Sequence, residues 1–71
     1  MEYKKAIYKK REVDLKATME SLGVNEAVYL AYNPQLRIGA IRTAASRKSA
    51  EGPEKFSVTE TVNGTIITRT E

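Results

Sequence analysis

A chain of 71 residues with neither cysteine nor histidine has no disulfide framework, no thiolate chemistry, and neither the usual general base nor the commonest metal ligand. So short a chain buries a modest core, for which association is a natural supplement. Twelve Lys and Arg against nine Asp and Glu give a net charge of +3; no apolar run approaches the roughly 18 residues of a membrane span, and the charged N-terminus lacks the apolar stretch of a secretory signal, which fits a cytoplasmic protein with no membrane partner.

Residues 2–8 read as a strand, with Tyr3, Ile7 and Tyr8 as its β-prone members, although Lys4 and Lys5 interrupt the alternation. Residues 1–11 therefore form a basic N-terminal arm or an edge strand, and Lys9 to Glu12 a solvated connection. Asp14 to Leu22 reads as a short helix: Asp14 is an N-cap candidate, Leu15, Met19 and Leu22 share one face, and Gly23 suits the position after the last turn. In Glu26 to Tyr32, the residues Val28, Tyr29, Leu30 and Tyr32 favour a strand. The same stretch also suits the second helix of a helix-turn-helix capped by Asn25.

Asn33 and Pro34 read as the cap and first turn of the main helix, 34–50, with Ile38, Ile41 and Ala45 inward, Ala44 beside them and a stop at Gly52-Pro53. Gly39 inside this helix suggests close approach by a neighbouring element, since glycine there costs about 1 kcal/mol against alanine. Lys55 to Arg69 reads as a hairpin turning on Asn63-Gly64 in type I′ geometry. That turn pairs Val62 with Thr65, Glu60 with Ile67 and Val58 with Arg69. Phe56, Val58, Val62 and Ile67 then share one face, and Ser57, Thr59, Thr61, Ile66, Thr68 and Thr70 the other. The expected fold is one small α+β domain over 1–71, its main helix packed on one face of a small antiparallel sheet. The alternative is a winged helix-turn-helix with the 55–69 hairpin as wing.

The chemistry-bearing residues suggest no enzyme. Glu51, Glu54 and Glu60 match no metal or glycosidase spacing, the four glycines are isolated and cradle no phosphate, and neither cofactor nor metal is implied. The cations are more informative. Lys4, Lys5, Lys9, Lys10 and Arg11 crowd the arm, Arg37, Arg42, Arg47 and Lys48 mark the helix, and an acidic stretch lies between them. The three helical arginines are five apart, each turned about 140° from the last, so they form no single stripe. With Thr43, Ser46 and Ser49 they could rest against phosphates, and an arm mixing Tyr3 and Tyr8 with cations could follow a nucleic-acid backbone.

The order of Leu22-Gly23-Val24-Asn25-Glu26, Ile41-Arg42-Thr43-Ala44-Ala45-Ser46-Arg47, Gly52, Lys55-Phe56-Ser57-Val58, Gly64 and Arg69 resembles a group of very small phage-encoded proteins of uncharacterised function, over about residues 19–71. Those proteins often carry an aromatic where this chain has Thr68. The resemblance implies a β-α-β-β arrangement and a phage setting, hence the host cytoplasm, and it implies no activity. Taken together, the expectation is a small non-enzymatic nucleic-acid-binding protein, DNA-binding or regulatory. Its phosphate contacts are Arg37, Arg42, Arg47, Lys48, Lys4, Lys5, Lys9, Lys10 and Arg11. It would be a homodimer if the hydroxyl-rich hairpin face self-associates. The alternative is a protein-binding inhibitor or adaptor of a host or partner protein.

Overall fold

A computed structural model describes residues 3–34 and 36–71. The elements run β1 (Tyr8–Lys9), β2 (Glu12–Val13), α1 (Leu15–Glu20), β3 (Ala27–Ala31), α2 (Ile38–Glu51), β4 (Phe56–Glu60) and β5 (Gly64–Arg69). They form an α+β fold with two antiparallel sheets, β1–β2 and β3–β5–β4, and two helices, of which α2 is the longer. This is more than the four elements that the resemblance implies, because the arm makes a hairpin of its own and α1 precedes β3. The strand at β3 replaces the helix that a winged helix-turn-helix requires. Asn25 caps nothing there. It takes a left-handed φ of 68° in the tight turn closed by the Glu26 N–H on the Gly23 carbonyl, a backbone that asparagine tolerates. Gly23 itself has no positive φ.

Register decides the faces of the larger sheet. Val28, Ile67 and Val58 lie opposite one another, as do Leu30, Thr65 and Glu60. The apolar members of these rows join Met19 and Leu22 from the α1 segment and Ile41 and Ala45 from α2 in one core cluster. On the other face run Tyr29–Ile66–Thr59, Ala27–Thr68–Ser57 and Ala31–Gly64, with no charged residue at any paired position.

The helices show where local signals hold and where they mislead. Asp14 caps α1 as expected, its carboxylate accepting the Ala17 N–H at 3.0 Å. α2, by contrast, begins at Ile38 instead of residue 34, with Arg37 as N-cap and no side-chain capping bond. Asn33-Pro34 opens a tight turn closed by the Leu36 N–H on the Asn33 carbonyl at 2.9 Å. Proline's fixed φ suits the second position of such a turn as well as the first turn of a helix. Among the described residues Gly39 has no neighbour within 4 Å of where a Cβ would stand, so no close approach there explains it.

The 56–69 hairpin keeps its expected faces but moves its turn. Glu60 pairs with Thr65 and Val58 with Ile67, so Val62 and Asn63 form the tip, and Val62 leaves the core side to stand 99% exposed. Moving the turn by one residue shifts the register by two, which leaves every paired side chain on its own face. No left-handed φ occurs at this tip, so it is not type I′. Gly64 is used differently: a Cβ there would run into the Leu30 carbonyl oxygen and the Tyr29 hydroxyl. The Tyr29 ring covers the glycine, and Tyr3 packs on Tyr29 at 6.1 Å between centroids.

Residues 3–13 are fastened at several points, not extended as the single strand expected over 2–8, whose residue 2 lies outside the described residues. The Lys4 N–H donates to the Ala27 carbonyl at 2.8 Å, making a parallel bridge at the β3 edge. The Asp14 N–H donates to the Ile7 carbonyl at 2.8 Å. The fully buried Thr18 hydroxyl accepts the Ile7 N–H at 3.0 Å and donates to the Asp14 carbonyl at 2.6 Å. Lys9 to Glu12 is a two-residue hairpin turn, with Lys10 and Arg11 at φ of 51° and 71°.

Candidate functional site

Of the expected phosphate contacts, two are engaged within the chain. Lys4 pairs with Glu26 at 3.6 Å. Lys48 lies on the inward side of α2, its side chain 15% exposed, and reaches Glu20 at 2.9 Å, tying α2 to α1. Its hydrogen bond and charge hold the Glu20 carboxyl below its ordinary pKa, and the same hydrogen bond raises that of Lys48. Two further cations donate to carbonyls: Lys55 to that of Ser49 and Arg69 to those of Leu22 and Glu71. Arg69, in the closing strand, thereby clasps the chain just after α1, a place where a cation also meets the helix dipole favourably.

Among the described residues the other eight cations make no ion pair and no side-chain hydrogen bond. Most of them fall into two groups. Lys9, Lys10 and Arg11 form the β1–β2 turn, and Arg11 lines a depression with Asn33 and Leu36. The arm's tip is thus beside the chain that enters α2 at Arg37. Lys16, a residue that sequence spacing did not single out, lines a groove between α1 and α2 with Arg47 and Lys48. Arg42 is exposed on α2, and Lys5 is exposed beside the Lys4 bridge. Glu12 borders the first group and Glu51 the second, so each is basic on balance and not uniformly so.

A third feature is a cleft of mixed lining, about 470 Å³ in volume, which separates the start of α2 from the far end of the 56–69 hairpin. Its lining includes Leu36, Ile38 and Ile41, the largely buried Thr65, Arg37 from the start of α2 and Glu60 from the end of β4. It exists because the sheet row at that end is Leu30–Thr65–Glu60, which offers α2 less apolar bulk than the Val28–Ile67–Val58 row.

Among the described residues no group of three carboxylates could hold a metal ion, and no helix is long and apolar enough to cross a membrane. Comparison with known proteins returns no matching family model, no matching curated protein and no matching solved structure.

Proposed function

We propose that this chain is a small non-enzymatic protein that binds the nucleic-acid backbone, DNA in the first instance, through cations of the β1–β2 turn and of α2. The observation that supports this reading is the turn itself. Lys10 and Arg11 both hold left-handed backbone, which costs a non-glycine residue about 1–2 kcal/mol. Asn-Gly would make the same turn without that cost. Backbone strain kept at an exposed basic tip is the kind that marks a functional position. Arg11 reaches toward the entry of α2, so Arg37, Arg42 and Arg47 extend the tip's charge along a helix whose outward Ser46 hydroxyl can also meet a phosphate oxygen, while that of Thr43 donates to the Gly39 carbonyl.

The decisive variant replaces the tip by Lys10→Asn with Arg11→Gly. Fluorescence anisotropy against duplex and single-stranded oligonucleotides gives the affinity, and thermal melting gives the stability. The expected result is a more stable protein that binds less tightly, with a log-affinity against log-salt slope shallower by about 2 on duplex DNA, one step for each lost phosphate contact. Unchanged affinity, or wild-type protein that binds neither form at low salt, overturns the reading.

A second reading, a protein-binding adaptor or inhibitor, has one observation of its own. Among the described residues β4 pairs only with β5. The bonds from Thr61 N–H to Gly64 and from Thr70 N–H to Lys55 set the alternation that leaves the backbone groups of Val58 and Glu60 pointing outward. An extended peptide can add to such an edge. Recovery of one stoichiometric protein partner after nuclease treatment favours this reading; recovery of nucleic acid alone ends it.

A further inference from the structure

The two most exposed large apolar residues among the described ones, Val62 at 99% and Tyr32 at 77%, flank the same cleft. They are held together there, because the Tyr32 N–H donates to the Asn63 carbonyl at 2.9 Å. Placing both in water beside a hollow lined in part by Leu36, Ile38 and Ile41 is unfavourable for an isolated chain. A knob adjacent to a hole is the geometry in which a two-fold axis lets each copy fill the other.

The charges have the same symmetry. Arg37 stands on the α2 side of the cleft and Glu60 on the sheet side, and neither has an ion pair among the described residues. A two-fold axis through the cleft exchanges the sides, so each Arg37 meets a glutamate and each Glu60 an arginine. An unrelated partner would have to supply both charges and the knob. A second copy supplies all three at once.

We propose that this cleft is one half of an isologous interface that takes a second copy of this chain, with Val62 and Tyr32 of each copy seated in the other's cleft and Arg37 facing the partner's Glu60. The surface differs from the hydroxyl-rich sheet face, and the inference does not depend on nucleic-acid binding. Thr65 forms the base on which the incoming valine rests, and its 6% exposure falls to nothing when the cleft is filled.

The test is sedimentation velocity over a range of protein concentrations, without nucleic acid, on the full chain. Wild type is expected to dimerise, and Val62→Asp to weaken dimerisation about tenfold or more, with circular dichroism showing the fold intact because the side chain touches solvent alone. Arg37→Glu and Glu60→Arg are each expected to be monomeric, since each homodimer would oppose like charges. An equimolar mixture of those two variants is expected to form a heterodimer, since both cross-cleft pairs are restored. Wild type that stays monomeric, Val62→Asp that dimerises like wild type, or a mixture that fails to associate overturns the proposal.

Discussion

The two hairpins of this protein handle their turns in opposite ways. The one that carries Asn63-Gly64 uses no left-handed residue at its tip, while the one that carries Lys10-Arg11 uses two. What separates them is what lies over the turn. At the 56–69 hairpin, β3 and the Tyr29 ring press so closely on position 64 that the glycine is needed for its missing Cβ, and the turn forms one residue earlier. At the β1–β2 turn the residues are exposed. The hairpin must be tight because Ile7 and Asp14 are tied together across its open end. A dipeptide's turn preference thus ranks below packing against its neighbours.

The sharpest way to break this comparison is Gly64→Ala. The new methyl has no room against the Leu30 backbone, so denaturant titration is expected to show a loss of about 3 kcal/mol or more, more than a turn-only glycine would give. If the loss is only that of a turn position, the close approach is unimportant and the account of the shifted turn fails. The other hairpin is probed by Thr18→Val. It leaves the Ile7 N–H without its acceptor and should cost about 1–3 kcal/mol in the same titration, with exchange of that amide accelerating.

Gly39→Ala tests the reverse case, a glycine with no reason to be one. Among the described residues nothing lies within 4 Å of the added methyl, so a gain of up to about 1 kcal/mol is expected. A loss would reveal a need that the packing does not show. The smallest effect concerns the Glu20–Lys48 tie. Glu20's pKa is lowered in the folded chain, so its contribution is present above the ordinary carboxyl range and is lost as pH falls through the lowered value. Lys48's is raised, so its contribution is full below the ordinary lysine value and is lost as pH rises through the raised one. Both limbs should flatten in a Glu20→Gln variant and in high salt, as expected of an exposed pair.

The sequence was most legible where one interaction explains one signal. Asp14 has a single plausible partner in the first turn of α1, and the alternation of Phe56 to Val58 survives a moved turn because faces depend on parity, not on position. It was least legible where a signal has two uses. Asn33-Pro34 can start a helix or a tight turn, and only the pairing of Tyr32 with Asn63 settles that the chain is still leaving β3 at that point. For the candidate site, the cations were visible as residues, but which were committed was not. Lys4 and Lys48 find acids 22 and 28 residues away in the chain, distances at which spacing carries no information. The cleft had no local mark at all, since Tyr32, Ile38 and Val62 come from separate parts of the chain.

The clasp of Thr18 on Ile7 has a consequence for motion. Ile7 looks like a surface residue, its side chain 40% exposed, yet its amide is bonded to a hydroxyl that is wholly enclosed and that is itself bonded into the start of α1. The leading segment therefore cannot peel away by itself: releasing it means opening the first turn of the helix as well. In deuterium-labelling experiments the amide of Ile7 should exchange at the pace of that helix, as one unit with it, and not at the pace of a dangling end.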